Sequence, residues 1–435
     1  MVSLIFFGGV DSMKKVGIVG AGLGGLVTAA LLAKRGNQVV VMERSPILGG
    51  RSHVVSKNGF TISYGAHAVL APKQEPLRSI VRELELPMEY RKASLSKFKL
   101  FMEGKVISSP LGFGALTSPA ISGFFNHMLC LKQFYKMVKQ APAFPQTMSV
   151  GQWIRENVRN PEIAKVLSAY AALSVYDGAL DLYSMNRFVE LTAREYEKNE
   201  PLSYMGYDVL LGELQKAITK NGGGILFGKP VSDLIVEADH VKGVICAGER
   251  YEFDEVVLNV PPKELGKLLS YPSLADEFGW YVNQTAHYVF VYDLMLSKRL
   301  RGDIGNLLDL DGGFYINDYG LNNPSSVPAG GQLINGLKFL TEQEQLDDSH
   351  AKESQTAFET LLHKVYPGWE KYVINKRIIN RAMVNGIARR TNAKLLPLQS
   401  RAVRGLYLVG DSTEGSGALG MPCYDSAKKV ADLLS

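Results

Sequence analysis

Residues 16–43 read VGIVGAGLGGLVTAALLAKRGNQVVVME, and this stretch decides the fold class. Residues 16–19 predict a short buried strand, and residues 39–42 predict a second one. Between them, a glycine-rich turn leads into an apolar helical segment that ends at Gly36. Because parallel strands need a crossover helix, this order predicts a parallel α/β unit.

The turn between the two strands has the spacing of a dinucleotide-binding loop. Gly20 permits the tight turn, Gly22 lets a pyrophosphate approach the backbone, and Gly25 lets the helix pack closely on the strand. The helix N-terminus offers unpaired N–H groups to the phosphates. Glu43 closes the second strand and can accept hydrogen bonds from both ribose hydroxyls. An acid there disfavours a 2′-phosphate, so we do not expect NADP.

A second motif, Gly49-Gly50-Arg51, follows six residues after Glu43, and an NAD domain has no need for it. Here the sequence resembles the flavoprotein superfamily of amine oxidases, protoporphyrinogen oxidases and phytoene (carotenoid) desaturases. The resemblance implies that FAD is bound, that Arg51 faces its pyrophosphate and that Gly65 approaches the flavin ring. Arginine suits phosphate oxygens because its planar fork carries a permanent charge.

The resemblance extends to two later blocks. Residues 405–411 read GLYLVGD and predict a strand that ends in Asp411, followed by a helix over about 424–434. The family implies that Asp411 binds the ribityl chain and that this helix points its N-terminus at the pyrimidine end of the flavin, where reduced flavin gains negative charge. Residues 206–262 predict a helix over 207–221, a meander of three strands at 225–227, 231–237 and 241–246, and a further strand from Glu255. The family implies that Val231 contacts the adenine through its backbone.

The complete set of FAD-binding residues implied by the resemblance is Gly20, Gly22, Gly25, Glu43, Arg44, Gly49, Gly50, Arg51, Gly65, Ala66, Val231, Gly410, Asp411, Gly420 and Met421.

The three blocks lie near the start, middle and end of the chain, so we expect a noncontiguous domain. The predicted fold is α/β: a Rossmann-like FAD-binding domain of the GR2 flavoprotein type with an interleaved, mixed α+β substrate domain. The domain predictions are 13–90, 200–265 and 395–435 for FAD, 91–199 and 266–394 for the substrate, and 1–12 as an N-terminal extension.

Helical patterns dominate the first substrate segment. Ser149 is a good N-cap for a helix over 150–157, and Pro161 can begin another that runs to Tyr170. A third helix is predicted over 185–198. The second segment contains strand-like runs at 285–292 and 332–339. We therefore expect a mixed sheet with helices on one side.

The net charge of +5 comes from one region of the chain. Residues 91–139 hold eight basic groups and one acid, a charge of +7, which leaves −2 for the rest. Such a distribution does not indicate nucleic-acid binding. The three cysteines are far apart and form no cluster with histidines, so neither a disulfide framework nor a metal site is predicted. A reducing compartment, the cytoplasm, is expected.

Within this basic region, residues 106–131 carry no charge. The segment is long enough to cross a bilayer, but its prolines, glycines, Asn126 and His127 would interrupt a membrane helix. Two interpretations stay open: the wall of an apolar substrate tunnel, or a peripheral contact with a membrane surface whose anionic lipids meet the flanking lysines. A further alternative is that the segment is an ordinary buried pair of helices.

Two histidines are the candidates for a catalytic role. By the family comparison, His287 takes the place of a lysine that holds a water near flavin N5 in amine oxidases, and imidazole can orient a water or accept a proton. The alternative, which we favour, is a strand histidine whose polar atoms are satisfied by a neighbour. His67 follows Gly65 closely and either reaches the flavin edge or is structural. We expect Cys423 not to be linked to the flavin.

The expected function is an FAD-dependent oxidoreductase similar to phytoene desaturases. It would transfer a hydride from a C–H bond of an apolar, polyene-like molecule to flavin N5. Alternatives are an oxidase of a porphyrinogen or an amine, and a non-enzymatic prenyl-binding protein of the GDP-dissociation-inhibitor type. Residues 381–398 contain no Trp or Tyr, which disfavours an amine substrate.

Overall fold

The computed structural model describes residues 13–65, 69–70, 75–92, 94–108, 132, 144–196, 203–417 and 419–435. The predictions for the extension 1–12, for Ala66 and His67, and for residues 109–131 lie outside this part of the chain.

The strands of the described residues are β1 Lys15–Val19, β2 Gln38–Met42, β3 Val54–Lys57, β4 Phe60–Ser63, β5 Val69–Leu70, β6 Arg91–Lys92, β7 Phe98–Met102, β8 Lys105–Ser108, β9 Ser203–Met205, β10 Gly224–Leu226, β11 Val231–Glu237, β12 His240–Cys246, β13 Glu249–Glu252, β14 Glu255–Leu258, β15 His287–Leu296, β16 Asn306–Asp309, β17 Phe314–Asp318, β18 Gln332–Phe339, β19 Val373–Asn385 and β20 Leu406–Leu408.

The α-helices of the same residues are α1 Leu23–Lys34, α2 Leu77–Leu84, α3 Val150–Asn157, α4 Pro161–Val175, α5 Met185–Tyr196, α6 Tyr207–Lys220, α7 Pro262–Lys267, α8 Pro272–Phe278, α9 Tyr319–Asn322, α10 Ala351–Val365 and α11 Met421–Leu433.

A five-stranded parallel sheet carries the first half of the fold, in the order β10-β2-β1-β14-β20. Its strands come from all three blocks that the sequence singled out. The chain leaves β1 toward β2 on one side, whereas β14 and β20 extend the sheet on the other. This reversal opens a crevice at the carboxyl ends of β1 and β14, where ligands of open α/β sheets bind. The prediction of a Rossmann-like α/β fold is confirmed.

Helix α1 is the central helix of this half. It is apolar all round and nearly every residue is buried, because α6 and α11 pack against it on the sheet. Its one buried hydroxyl, Thr28 Oγ1, donates to the carbonyl of Gly24 at 2.8 Å, so no polar group is left unsatisfied there. The antiparallel meander β11-β12-β13 covers the other side.

A seven-stranded mixed sheet carries the second half, in the order β19-β15-β18-β17-β16-β7-β8. Helices α3, α4 and α5 pack on it through a shared apolar cluster. The expectation of a helical first segment was wrong for residues 98–108, which form the hairpin β7-β8. Glu103 and Gly104 both have positive φ at its tip, which suits a tight hairpin turn.

The uncharged segment 106–131 begins in this sheet, since residues 106–108 belong to β8. In the part of the chain that the structure describes, no helix combines the length and apolarity that crossing a bilayer requires.

Several element boundaries differ from the sequence predictions. Helix α3 is capped by Ser149, whose side chain accepts from Gln152 N at 3.1 Å, as expected. Helix α4 runs to Val175 instead of Tyr170. The last helix begins at Met421, three residues before the prediction, because Pro422 fits its first turn. Its N-terminus therefore lies at Gly420.

Gly25→Ala tests the close approach of α1 to the sheet. A Cβ at Gly25 would collide with the Gly20 carbonyl oxygen, whereas a Cβ at Gly212, inside α6, meets nothing within 4 Å. We expect Gly25→Ala to lower the free energy of unfolding by about 1–3 kcal/mol. Gly212→Ala, the control, should raise it by about 0.5–1 kcal/mol. Urea denaturation measures both, and equal stability of the two variants would contradict the packing described.

Candidate cofactor site

The glycine-rich turn lies against the end of the neighbouring strand. A Cβ at Gly22 would lie 2.7 Å from Asn259 Nδ2, and one at Gly20 would lie 2.5 Å from the Asn259 carbonyl oxygen. A Cβ at Gly24 would lie 3.2 Å from the backbone nitrogen of Gly410. The absence of side chains at these glycines lets the turn approach both Asn259 and Gly410. The turn therefore connects the first sequence block with the second and the third.

Glu43 stands at the end of β2 with its carboxylate turned toward the same turn. Oε2 accepts from the backbone N–H of Ala21 at 2.7 Å, and Oε1 accepts from that of Ser45 at 2.8 Å. The residue is only 8% exposed. Because a carboxylate has about four acceptor positions, each oxygen keeps capacity for a further donor such as a ribose hydroxyl.

The Gly-Gly-Arg loop closes over the glycine-rich turn, with Gly49 N donating to the Ala21 carbonyl at 2.7 Å. It directs Arg51 at Asp411. Both terminal nitrogens of Arg51 donate to the two carboxylate oxygens of Asp411, and Nη1 also donates to the carbonyl of Val384 at 2.9 Å. Two of the five guanidinium N–H groups therefore remain for phosphate oxygens.

Asp411 is the meeting point of several donors besides Arg51. Its Oδ2 accepts from Gly386 N at 2.6 Å and from Asn385 Nδ2 at 3.3 Å. Burial alone raises the pKa of a carboxyl, but the Arg51 charge and these hydrogen bonds outweigh it, and the pKa of Asp411 lies below its ordinary value. The carboxylate is thus ionised and mainly holds Arg51 in place, in addition to the ribityl contact that the resemblance implies.

Two helix N-termini point into the same crevice. Gly22 and Gly420 are the N-cap residues of α1 and α11, and neither helix has a side-chain cap or an acid in its first turn. Both helix starts carry partial positive charge that attracts an anion. In α11 fewer N–H groups are free, because Pro422 has none and Cys423 N donates to the Gly420 carbonyl at 3.1 Å. A Cβ at Gly420 would lie 3.9 Å from Leu23, which shows how closely the two helix starts approach.

These donors fit FAD. The uncapped helix starts and Arg51 supply N–H groups for a pyrophosphate, and Glu43 supplies acceptors for a ribose. Gly65 lies against the Arg51 carbonyl, where any Cβ would collide. The backbone of Lys229 donates to the Glu43 carbonyl at 2.9 Å, so the start of β11, with Val231, lies near Glu43. The contact of Val231 with adenine stays a prediction. Arg44 instead forms a surface ion pair with Glu264 at 2.8 Å.

The chain matches a known family over nearly its whole length. The model of the flavin-containing amine oxidoreductases matches residues 23–435. The chain belongs to this family. Its cofactor is therefore FAD, and it is an oxidoreductase.

Two curated relatives act on carotenoids by name. A 4,4′-diapolycopen-4-al dehydrogenase from Metabacillus indicus is 23% identical over 56% of this chain and 55% of that enzyme. A 4,4′-diapophytoene desaturase (4,4′-diapolycopene-forming) from a Methylomonas species is 24% identical over 73% of this chain and 71% of that enzyme. The chain thus spans about half the length of the first of these relatives.

Among solved structures, an oxidoreductase from Methanosarcina mazei superposes with a TM-score of 0.79. It is 23% identical, and the match covers 96% of this chain and 100% of that one. The likeness establishes the fold.

His287 is fully buried at the start of β15, at 1% exposure. Its Nε2 lies 2.6 Å from the carbonyl oxygen of Tyr176, to which it donates, and 3.8 Å from Asp177 Oδ2. Its partner across the sheet is Asn385, which reaches Asp411. Asn385 thus stands between His287 and Asp411. The Nε2 of His287 is hydrogen-bonded to a neighbouring carbonyl, which agrees with the structural alternative that we favoured.

Cys423 lies in the first turn of α11 and is buried and free. Burial and then the Asp411 charge raise its pKa to about 12, against the opposing charges of Arg51 and Arg389. A thiol of this kind is a poor nucleophile, because the thiolate is the reactive form. Met421 is the first residue of the same helix and lies partly buried against the core that contains α1.

Sequence reasoning missed several residues of the site. Asn259, Asn385 and Arg389 contact the glycine-rich turn or Asp411 through pairings distant in sequence. The available signal was their position, since Asn259 follows a buried strand and Asn385 ends a long one. Which polar residue meets which turn depends on the register of β15 and β19, and no local pattern encodes it.

Glu43→Gln tests the ribose contact. The amide keeps one acceptor but turns N–H donors toward the backbone N–H groups of Ala21 and Ser45. Loss of a charge-assisted hydrogen bond costs about 1.5–3 kcal/mol, so we expect the Kd for FAD to rise roughly 10- to 150-fold. Fluorescence titration of apoprotein with FAD measures it. Glu237→Gln, in an exposed ion pair with Arg250, is the control, and an equal effect in both variants would refute the assignment.

The raised pKa of Cys423 predicts that its thiol is unreactive in the native protein. With a pKa of about 12, the thiolate at pH 8 amounts to on the order of one molecule in ten thousand. We expect native protein to resist iodoacetamide at Cys423, and acid denaturation to release all bound FAD. Mass spectrometry of the peptide, with unfolded protein as the labelled control, decides the point. A flavinylated or rapidly alkylated Cys423 would show that the burial described is wrong.

Proposed function

We propose that the protein removes a hydride from a C–H bond of an apolar, polyene-like substrate and passes it to N5 of FAD. The observation that carries the proposal is the convergence of two uncapped helix starts, Arg51 and Glu43 on one crevice beside an apolar layer. The names of the carotenoid-converting relatives support the choice of substrate class.

Bound FAD supplies the redox chemistry, as a two-electron acceptor. The chain supplies binding and position. Arg51 and the start of α1 hold the pyrophosphate, and Glu43 holds the ribose. Asp411 fixes Arg51 through its two oxygens and is itself held by the backbone of Gly386. Preorganised donors of this kind cost no reorganisation when the substrate reacts.

Part of the wall near Asp411 is apolar. Val384, Ala382 and Leu419 are partly buried and pack against the cluster that joins the large sheet to α3–α5. Leu419 is tied to the site because its carbonyl accepts from Asn385 at 3.2 Å. An apolar wall next to the flavin-binding residues suits a hydrocarbon substrate, which gains free energy by leaving water.

His287 has a positioning role in this proposal. It links the end of α4 to β15 through Tyr176 and stands across from Asn385. The substrate entrance through 106–131, its contact with a membrane surface and the cytoplasmic location stay predictions.

The experiment is an anaerobic titration. Purified protein should be yellow, and a polyene hydrocarbon in detergent should bleach the flavin band with formation of one further double bond. Porphyrinogens and primary amines are the comparison substrates, because each represents another activity of the superfamily. Bleaching by an amine but not by a polyene would overturn the proposed substrate class. A yellow protein that binds prenylated lipid tightly and is reduced by none of the three would favour the non-enzymatic alternative.

A further inference from the structure

Arg389 is a buried cation close to the cofactor site that the arguments above do not use. It lies four residues after β19 and is only 2% exposed. Its Nη2 donates to the carbonyl of Asp411 at 2.7 Å and to that of Thr413 at 3.3 Å. The segment that carries it therefore runs along the turn that follows β20.

The charge of Arg389 has no anionic partner among the described residues. Its bonded acceptors are two backbone carbonyls. The carboxylate of Asp411, which interacts electrostatically with Arg389, is hydrogen-bonded by both terminal nitrogens of Arg51. Arg389 Nε and Nη1 are buried and find no acceptor in the part of the chain that the structure describes. A buried guanidinium stays charged, so an uncompensated one is costly and calls for an acceptor.

Several groups around Arg389 interact with its charge. The hydroxyl of Tyr183 is buried without an acceptor among the described residues and interacts electrostatically with Arg389. Cys423, in the first turn of α11, also senses the charge of Arg389. The guanidinium, the hydroxyl and the uncapped start of α11 are thus donor groups gathered around Arg389, next to the backbone of Asp411.

We propose that Arg389 adds a buried positive charge, beside the N-terminus of α11 that the resemblance already implies, for the negative charge that FAD gains on reduction, so that Arg389 raises the reduction potential of the cofactor. The inference rests on the proposed function, in which a substrate C–H bond breaks and hydride forms a bond to FAD. A second C–H bond of the substrate then releases a proton to water, and its electron pair forms the double bond. The reduced flavin ring then carries one negative charge more than the oxidised ring.

The test is the reduction potential of FAD-loaded protein, measured by photoreduction against a dye of known potential. Photoreduction needs no substrate, so the result is independent of the proposed substrate class. We expect Arg389→Gln to weaken the binding of reduced FAD relative to oxidised FAD at least tenfold. For a two-electron couple this is a shift of about 30 mV to more negative potential. Arg389→Lys, which keeps the charge, should retain most of the wild-type value.

Arg390→Gln is the matched control, since it removes the neighbouring charge, which is not fully buried. An unchanged potential in Arg389→Gln, or an equal shift in Arg390→Gln, would overturn the proposal. If the potential of Arg389→Gln is unchanged and this variant binds a carboxylate-bearing polyene more weakly than the wild type does, Arg389 binds the substrate and not the reduced cofactor.

If Arg389→Gln does not fold, the wild type still decides. An anionic reduced-flavin spectrum at a pH where free reduced FAD is neutral supports the site, and a neutral spectrum refutes it.

Discussion

The contact between the glycine-rich turn and Asn259 is the constraint on which the rest of the molecule depends. Gly20, Gly22 and Gly25 face this residue or one another at distances that no side chain would allow. The contact holds β1 to β14 at their carboxyl ends and sets where α1 begins. Because α11 packs against α1, the position of the second helix start follows from the first. The positions of both helix N-termini at the site thus depend on the close contact between the glycines and Asn259.

A second interaction, the ion pair of Arg51 with Asp411, connects the first and last sequence blocks. Side-chain hydrogen bonds between charged groups are strong when desolvated, but a buried pair is stable only if its other atoms are also satisfied. Gly386 and Asn385 meet this requirement, and both lie at the end of β19. The long strand of the substrate-side sheet therefore takes part in building the cofactor site. The two halves of the fold are joined by polar contacts as well as by the chain crossings.

Much of the fold could be predicted because its signals are local. The strand–turn–helix of residues 16–43, the strand pair at 231–246 and the cap at Ser149 depend on neighbours a few residues away. The prediction that 225–227 begins the meander was wrong, because this strand pairs with β2 in the parallel sheet and β13 is the third strand of the meander. The hairpin at 98–108 was missed, although Glu103 and Gly104 marked its turn. Of the site, Glu43, Arg51 and Asp411 were predicted from motifs. Asn385 and Arg389 were not, because their role depends on cross-strand register and on the burial of a charge, which no periodicity reveals.

The order of the strands in the parallel sheet has a consequence for the synthesis of the protein. β1 lies between β2 and β14, and its sheet is completed by β20, which the ribosome makes almost 400 residues later than β1. Contacts this distant in sequence form slowly, since the entropy of closing a long loop opposes them. Until residues 406–433 emerge, the nascent chain exposes the apolar surface of α1 that α11 later covers. The growing polypeptide is therefore prone to aggregate at this stage, and the FAD site is complete only after translation has passed α11.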